Sequence, residues 1–192
     1  MMRIITGRAR GTQLMTLEGE TTRPTSERAK EAVFSSLQFE LQGRTVLDLF
    51  AGSGQMALEA LSRGADTAVL VDASPDAVRV IEVNVKKTHM EQNCHVRCAD
   101  YAAFLRAADT RLPRTYDLVI LDPPYAKRLI APALRALVEG AYLAKGALIV
   151  CESDRDNVFE DDAVLAELFF VRKTAKYGVA TVTILEWRGA QS

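Results

Sequence analysis

The chain of 192 residues holds no uninterrupted apolar run approaching the roughly eighteen residues a membrane-spanning helix needs. Its first stretch, MMRIITGRAR, lacks the apolar centre of a secretion signal, so neither export nor membrane insertion is expected and the cytoplasm is the expected compartment. Cysteine is scarce. The 3 thiols, Cys94, Cys98 and Cys151, are odd in number and fit neither a disulfide framework nor paired CxxC zinc ligands. His89 and His95 lie near two of them, but HVRC reads as the start of a strand and no metal is expected. Internal repeats and low-complexity linkers are missing too. A formal net charge of −1 excludes a binder that is strongly basic over its whole surface.

What is present is an ordinary globular balance, 48% hydrophobic and 26% charged, in a length suited to one domain with a small appendage. Charge is uneven locally. Residues 1–30 carry Arg3, Arg8, Arg10, Arg23, Arg28 and Lys30 against Glu18, Glu20 and Glu27, so a basic face is expected there.

From Thr45 onward, β-rich runs alternate with helical patterns, the signature of an α/β fold with a mainly parallel sheet covered on both faces. TVLDLF (45–50), TAVLVD (67–72), HVRCAD (95–100), YDLVILD (116–122) and ALIVCE (147–152) are the predicted strands, all but the third nearly continuous in apolar residues. GQMALEALSRG predicts a helix presenting Met56, Leu58 and Leu61 and closed by Gly64. SPDAVRVIEVNVKK predicts another, capped by Ser74, with Pro75 in its first turn and Ala77, Val78, Ile81 and Val85 buried. A further helix is expected through RLIAPALRALVEGAYL, with Pro132 in its first turn. The end, FFVRKTAKYGVATVTILEW, reads as an antiparallel hairpin, which makes seven strands. A nicotinamide-binding domain ends in a parallel strand instead, so this ending favours another cofactor. Residues 1–44 are expected to form an extension of a small hairpin (RIITG with QLMTL) and a helix capped by Thr25 or Ser26 and burying Val33, Phe34 and Leu37. Residues 45–192 form the sheet domain.

VLDLFAGSGQMALEA has the layout of a ligand loop beyond a strand: Gly52 and Gly54 permit a tight turn, and the next helix offers free N–H groups. It overlaps the dinucleotide fingerprint, so a nicotinamide or flavin remains open from this loop alone. Asp48 separates the two readings, with Glu59 in support. A carboxylate there suits a sulfonium and an ammonium and repels a pyrophosphate, which points to S-adenosylmethionine. Asp72, ending the second strand, is placed to accept ribose hydroxyls. Asp100 is placed either for an adenine amine, with Tyr101 and Phe104 as cover, or as a helix cap.

LDPPYAK (121–127) follows the fourth strand. Pro123 and Pro124 stiffen the loop and leave a carbonyl with no local competitor. Asp122 and that carbonyl can accept the hydrogens of an exocyclic amine, while Tyr125 stacks on its ring. Such transfer needs positioning more than a base, and no histidine lies nearby.

The stretches MRIITGRARG, TRPTSERAKEAVFSSL, DLFAGSGQMALEALSRGA and LDPPY together resemble the bacterial 16S rRNA guanine-N2 methyltransferases of the RsmD type, over essentially the whole chain. The resemblance implies a Rossmann-like class I methyltransferase that binds S-adenosylmethionine through Asp48, Phe50, Ala51, Gly52, Ser53, Gly54, Asp72, Ala73, Asp100 and Tyr101. It implies a target guanine held by Asp122, Pro123, Pro124 and Tyr125, and RNA contacts from Arg8, Arg10, Arg23, Thr25 and Arg28. It further implies 16S rRNA of the small subunit, or an assembly intermediate, as partner; the enzyme is expected to work as a monomer. Gln55 and Met56 depart from the small residues common in the family, and Asp72 from its usual Glu. The competing readings are a DNA adenine or cytosine amino-methyltransferase, for which the chain leaves little room, a nicotinamide-dependent oxidoreductase, and a non-catalytic ribosome-assembly factor.

Overall fold

A computed structural model describes residues 2–17 and 24–189, with the side chains of 24–27 outside the description. Six helices, α1 (Pro24–Leu37), α2 (Gln55–Ser62), α3 (Pro75–Lys87), α4 (Tyr101–Ala107), α5 (Ile130–Glu139) and α6 (Ala163–Glu167), alternate with strands among the described residues. The strands are β1 (Thr45–Asp48), β2 (Thr67–Asp72), β3 (Cys94–Cys98), β4 (Tyr116–Leu121), β5 (Leu143–Ser153), β6 (Phe169–Tyr177) and β7 (Ala180–Trp187). They form one sheet in the order β3-β2-β1-β4-β5-β7-β6. The first five are parallel, and β7 runs antiparallel between β5 and β6. The expected hairpin ending is therefore present. The chain winds outward from β1 through β2 to β3 and returns on the other side at β4, so a crevice opens where the strand order reverses.

Hydrophobic pattern follows position in the sheet. β1, β2 and β4, which read as apolar runs, are central and buried on both faces; β3 and β6 are the edges and the most exposed. Edge strand β6 carries Arg172, which pairs with Glu40 and with Glu186 of β7, and Lys173, which donates to Ser36 Oγ of α1 (2.7 Å); charged side chains on an edge strand discourage pairing with another sheet. One buried cluster joins Phe34 of α1, Leu58 of α2 and Ile81 of α3 on one face; the other joins Leu105 of α4, Leu134 of α5 and Leu165 of α6.

The amino-terminal segment shares the first of these clusters, through Met2, Ile4 and Leu14. It doubles back on itself: Ile4 N–H donates to Thr12 O (3.0 Å) and Leu14 N–H to Met2 O (3.0 Å), around a bridge of Arg3 with Gln13. Its anchor is the polar side of α2, every residue of which is buried. Glu59 accepts from Ile5 N (2.7 Å), Thr6 N (3.1 Å) and Arg63 Nε (2.6 Å). Ser62 Oγ accepts from Ala9 N and donates to Thr6 O. Gly7 lies so close that a Cβ there would stand 1.8 Å from Ser62 O. Glu59 is therefore the fastening of this segment and is turned to it rather than to a ligand.

Four local expectations are revised. Helix α1 begins at Pro24, so Thr25 and Ser26 lie in its first turn rather than at its cap. β5 starts at Leu143, four residues early, because a register shift opposite Tyr116–Leu118 and the positive φ of Gly146 (70°) let the strand continue through a bulge. Val80, not Val78, fills the apolar stripe of α3. Helix α6 was not foreseen; Asp162 caps it by accepting from Leu165 N (3.0 Å). Replacing Glu59 by Ala takes the acceptor from two backbone N–H groups and strands the largely buried Arg63 guanidinium, and should destabilise the protein by about 3 kcal/mol in denaturant unfolding. A change under about 0.5 kcal/mol, the size of an ordinary surface substitution, would contradict this anchoring.

Candidate active site at the carboxyl edge of the sheet

The crevice at the strand reversal is a cleft of about 630 Å³. It collects Asp48, Phe50, Ala51, Gly52, Ser53, Asp72, Ala73, Asp100, Tyr101, Asp122, Pro123, Pro124 and Tyr125, all expected at a site, from the ends of four strands. Gly54 sits just behind, as the residue capping α2 at φ 79°, with Leu70 3.0 Å from where a Cβ would be. The loop from Phe50 to Gly54 is held on both sides. Ala51 N donates to Val71 O (3.0 Å), and Asp72 takes Gly52 N on Oδ2 (2.8 Å) and Ser74 N on Oδ1 (2.8 Å). Asp72 thus clasps the loop to the start of α3 and keeps further lone pairs for a ligand.

Asp48 is almost completely buried, and its Oδ1 is sealed from solvent with no hydrogen-bond partner among the described residues. Burial pushes its carboxyl up to about 7; the Phe50 N–H opposes this, Asp72 adds to it, and Lys30 and the Ala57 N–H oppose it. A buried acceptor left unsatisfied costs free energy unless something satisfies it. Because Asp48 lines the cleft, a cationic ligand centre beside it would restore the charged form.

On the far wall, Phe50 and Tyr101 put their rings 5.4 Å apart. Asp100 caps α4 by accepting from Ala102 N (2.9 Å) and Ala103 N (3.4 Å), both on Oδ1. The cap reading is therefore observed, and the cleft position is retained alongside it. Beyond Asp122, Tyr125–Lys127 makes one 3₁₀ turn in which Lys127 N donates to Pro124 O (3.0 Å). Of the two proline carbonyls, that leaves Pro123's for another donor.

Several cleft residues were not anticipated as site residues. Met2, Leu17 and Lys30 bring the amino-terminal region in as a wall. Gln55 explains its own departure from the small residues expected there: its Oε1 accepts from Lys30 Nζ (2.9 Å) and its Nε2 reaches Arg3 O (3.5 Å). Asn84, fully buried in α3, donates to Ser53 O (2.8 Å) and Met15 O (2.9 Å) and accepts from Met15 N (2.7 Å). A polar residue in the middle of the apolar stripe of α3 is the signal that could have singled it out. Glu152 on β5 accepts from the Tyr125 hydroxyl (2.9 Å).

Two of the basic residues expected to face RNA lie away from the cleft. Arg8 and Arg10 lie on the turn packed against Ser62, the last residue of α2; Arg8 N donates to Ser62 O (2.9 Å) and its Nη2 to Asn93 Oδ1 (2.9 Å). Gln55, at the other end of α2, lines the cleft, so about 10 Å of helix separates them from it. Arg28 is exposed on α1. Arg23 and the Thr25 side chain lie outside the described residues. No group of three or more His, Cys, Asp or Glu suited to a metal occurs among the described residues, nor is any helix there long and apolar enough to cross a membrane.

Residues 2–186 match the family described as conserved hypothetical protein 95. YlbH of Bacillus subtilis is 34% identical over 188 residues, 98% of this chain and 100% of its own. A Haemophilus influenzae protein named ribosomal RNA small subunit methyltransferase D is 34% identical over 157 residues, 81% of this chain and 80% of that one. The solved structure of yhhF from Escherichia coli matches with a TM-score of 0.81 at 26% identity, over 98% of each chain. The sheet order and antiparallel ending are those of the Rossmann-like class I methyltransferase fold.

The raised Asp48 carboxyl makes stability depend on pH. A group whose pKa is higher folded than unfolded contributes fully below its unfolded value, here 3.8, and that contribution is lost as pH rises through its folded value, here about 7. Thermal stability of the ligand-free protein should therefore fall as pH rises from about 4 to about 7, relative to Asp48→Asn. Parallel curves for the two proteins would show that Asp48 does not titrate in this window.

Proposed function

The chain belongs to the conserved hypothetical protein 95 family, and from that premise we propose that it methylates the exocyclic N2 amine of one guanine in 16S rRNA of the small ribosomal subunit, using S-adenosylmethionine. The observation that carries this reading is the single cleft in which the Asp48–Gly54 loop and the Asp122–Tyr125 loop face each other. The name of the Haemophilus influenzae relative supports the substrate class.

S-adenosylmethionine, when bound, supplies a methyl group made electrophilic by its sulfonium sulfur. Asp48 meets the positive charge of this cofactor, with Phe50, Ala51, Gly52, Ser53 and Gly54 as the loop against it. Asp72 and Ala73 would hold its ribose, and Asp100 with Tyr101 its adenine. Asp122 and the Pro123 carbonyl accept the two hydrogens of the guanine amine, drawing its lone pair out of conjugation and toward the methyl carbon, while Pro124 stiffens the loop. Tyr125 stacks on the base, an interaction worth roughly 1–3 kcal/mol that fixes the ring plane. Alignment of nitrogen and methyl carbon supplies most of the rate, and the amine proton leaves to water after transfer, so no strong base is required. A base must leave its stack to enter the cleft, which makes looped or flipped RNA the natural substrate. Arg8, Arg10, Arg23, Thr25 and Arg28 contact RNA, on a partner as large as a ribosomal subunit or its assembly intermediate. The enzyme acts as a monomer in the cytoplasm.

Methyl transfer from labelled S-adenosylmethionine to small subunits, naked rRNA and duplex DNA, followed by nucleoside identification, tests the proposal. N2-methylguanosine in the subunit is the expected product. Label only in DNA would favour a DNA amino-methyltransferase, and tight cofactor binding without transfer would favour an assembly factor. Asp122→Ala should lower transfer at least about a hundredfold with cofactor affinity kept, if its hydrogen bond to the amine strengthens during the reaction. Arg10→Glu combined with Arg23→Glu should weaken RNA binding roughly tenfold or more at physiological salt and leave cofactor affinity unchanged; equal losses in both would refute this division of labour.

A further inference from the structure

One side-chain bond ties the tip of β4 to the tip of β5 across 27 residues of chain: the Tyr125 hydroxyl donates to Glu152 Oε1 at 2.9 Å. Resting on the function proposed above, we propose that Glu152 is a positioning residue that holds the Tyr125 ring in the plane on which the target base stacks, before RNA arrives.

Four observations support it. Tyr125 stands on a weak support, a single 3₁₀ turn after two prolines, followed by Arg128 in the left-handed region at φ 49°. Glu152 stands on a strong one: it is paired with Val182 of β7 and directly follows Cys151, which is paired with Leu121 of β4, so its backbone is held within the sheet. The ring is also a partition. Pro123, Tyr125 and Leu129 line both the main cleft and a smaller hollow bounded by Glu152, Asp154, Arg155, Asn157 and Val158. That hollow, about 20 Å³, has room for about one water and none for the ring, so a loosened ring could leave its plane only on the cleft side, whereas Glu152 holds it by the hydroxyl from the hollow's side and leaves the ring at the cleft wall. Finally, the hydroxyl remains a donor. Burial first, then the charge and hydrogen bond of Glu152, with Asp122 and Asp154 adding to them, keep the phenol above its ordinary ionisation range.

An aromatic that stacks in a preset plane spends less ordering free energy at the moment of binding. The tether therefore belongs in turnover, not in cofactor affinity. A phenylalanine would keep the stacking surface and lose the hold.

The test is a double-mutant cycle on the full-length enzyme with Tyr125→Phe, Glu152→Ala and the pair, plus Glu152→Gln as the conservative variant, measuring transfer to small subunits, cofactor affinity and denaturant unfolding. Tyr125→Phe and Glu152→Ala should each lower kcat about 3–10-fold with cofactor Kd unchanged, and the pair should be no worse than either. Glu152→Gln, whose amide oxygen accepts the same bond, should restore most of the rate. Multiplying losses in the pair, a Glu152→Gln as slow as Glu152→Ala, or losses in stability with kcat intact would each overturn the assignment. A wild-type protein that transfers no methyl group would instead sink the function proposed above. The unfolding cycle would then decide on the tether alone, and independent effects of the two substitutions would refute it.

Discussion

A carboxyl group closed in among apolar strands, with one oxygen unpartnered among the described residues, is the constraint around which this edge of the molecule is organised. Asp48 occupies the last position of β1, between β2 and β4, where the strand order reverses. A hydrophobic residue there would be cheaper for folding, since a buried carboxyl without a full set of partners works against stability. The surroundings nonetheless hold it in place: Asp72 fixes the loop beside it, Lys30 leans its charge toward it, and the cleft gives it a direction in which a cation can approach. Such conflicts between local stability and placement are where functional sites are expected.

The amino-terminal segment completes the site through a second buried carboxylate put to a different use. Glu59 binds two backbone N–H groups of that segment and so sets how Met2 and Leu17 wall the cleft. Ser62, Gln55 and Asn84 continue the same seam, joining segment, ligand loop and α3 by polar contacts inside an otherwise apolar cluster. The segment and the sheet therefore meet in one packed core, and a disturbance at α2 should be felt at the cleft.

Much of this was legible in the sequence because it is local. Buried strands betray themselves as apolar runs, Ser74 and Pro75 mark a helix start, and the AGSG and DPPY loops carry their chemistry within a few residues. What escaped was tertiary. Glu59 read as a partner for a cofactor because nothing near it reveals that a segment more than fifty residues earlier lies over α2. Glu152 read as the end of an apolar strand, and only the pairing of β4 with β5 brings it to Tyr125. The arginines of the first residues were counted as a charge excess; the turn at Gly7, which carries Arg8 and Arg10 to the far end of α2, depends on a close approach to Ser62 that no local pattern encodes.

The central claim is that the buried Asp48 carboxyl waits for a cationic ligand, and it can be tested without any RNA. Calorimetric titration of S-adenosylmethionine into the protein, in buffers of different ionisation enthalpy, measures protons released on binding. Just below pH 7 the account predicts release of a substantial fraction of one proton by the wild-type protein, fading at higher pH, and none attributable to this site in Asp48→Asn. Binding that is tight but releases the same number of protons from both proteins would contradict it.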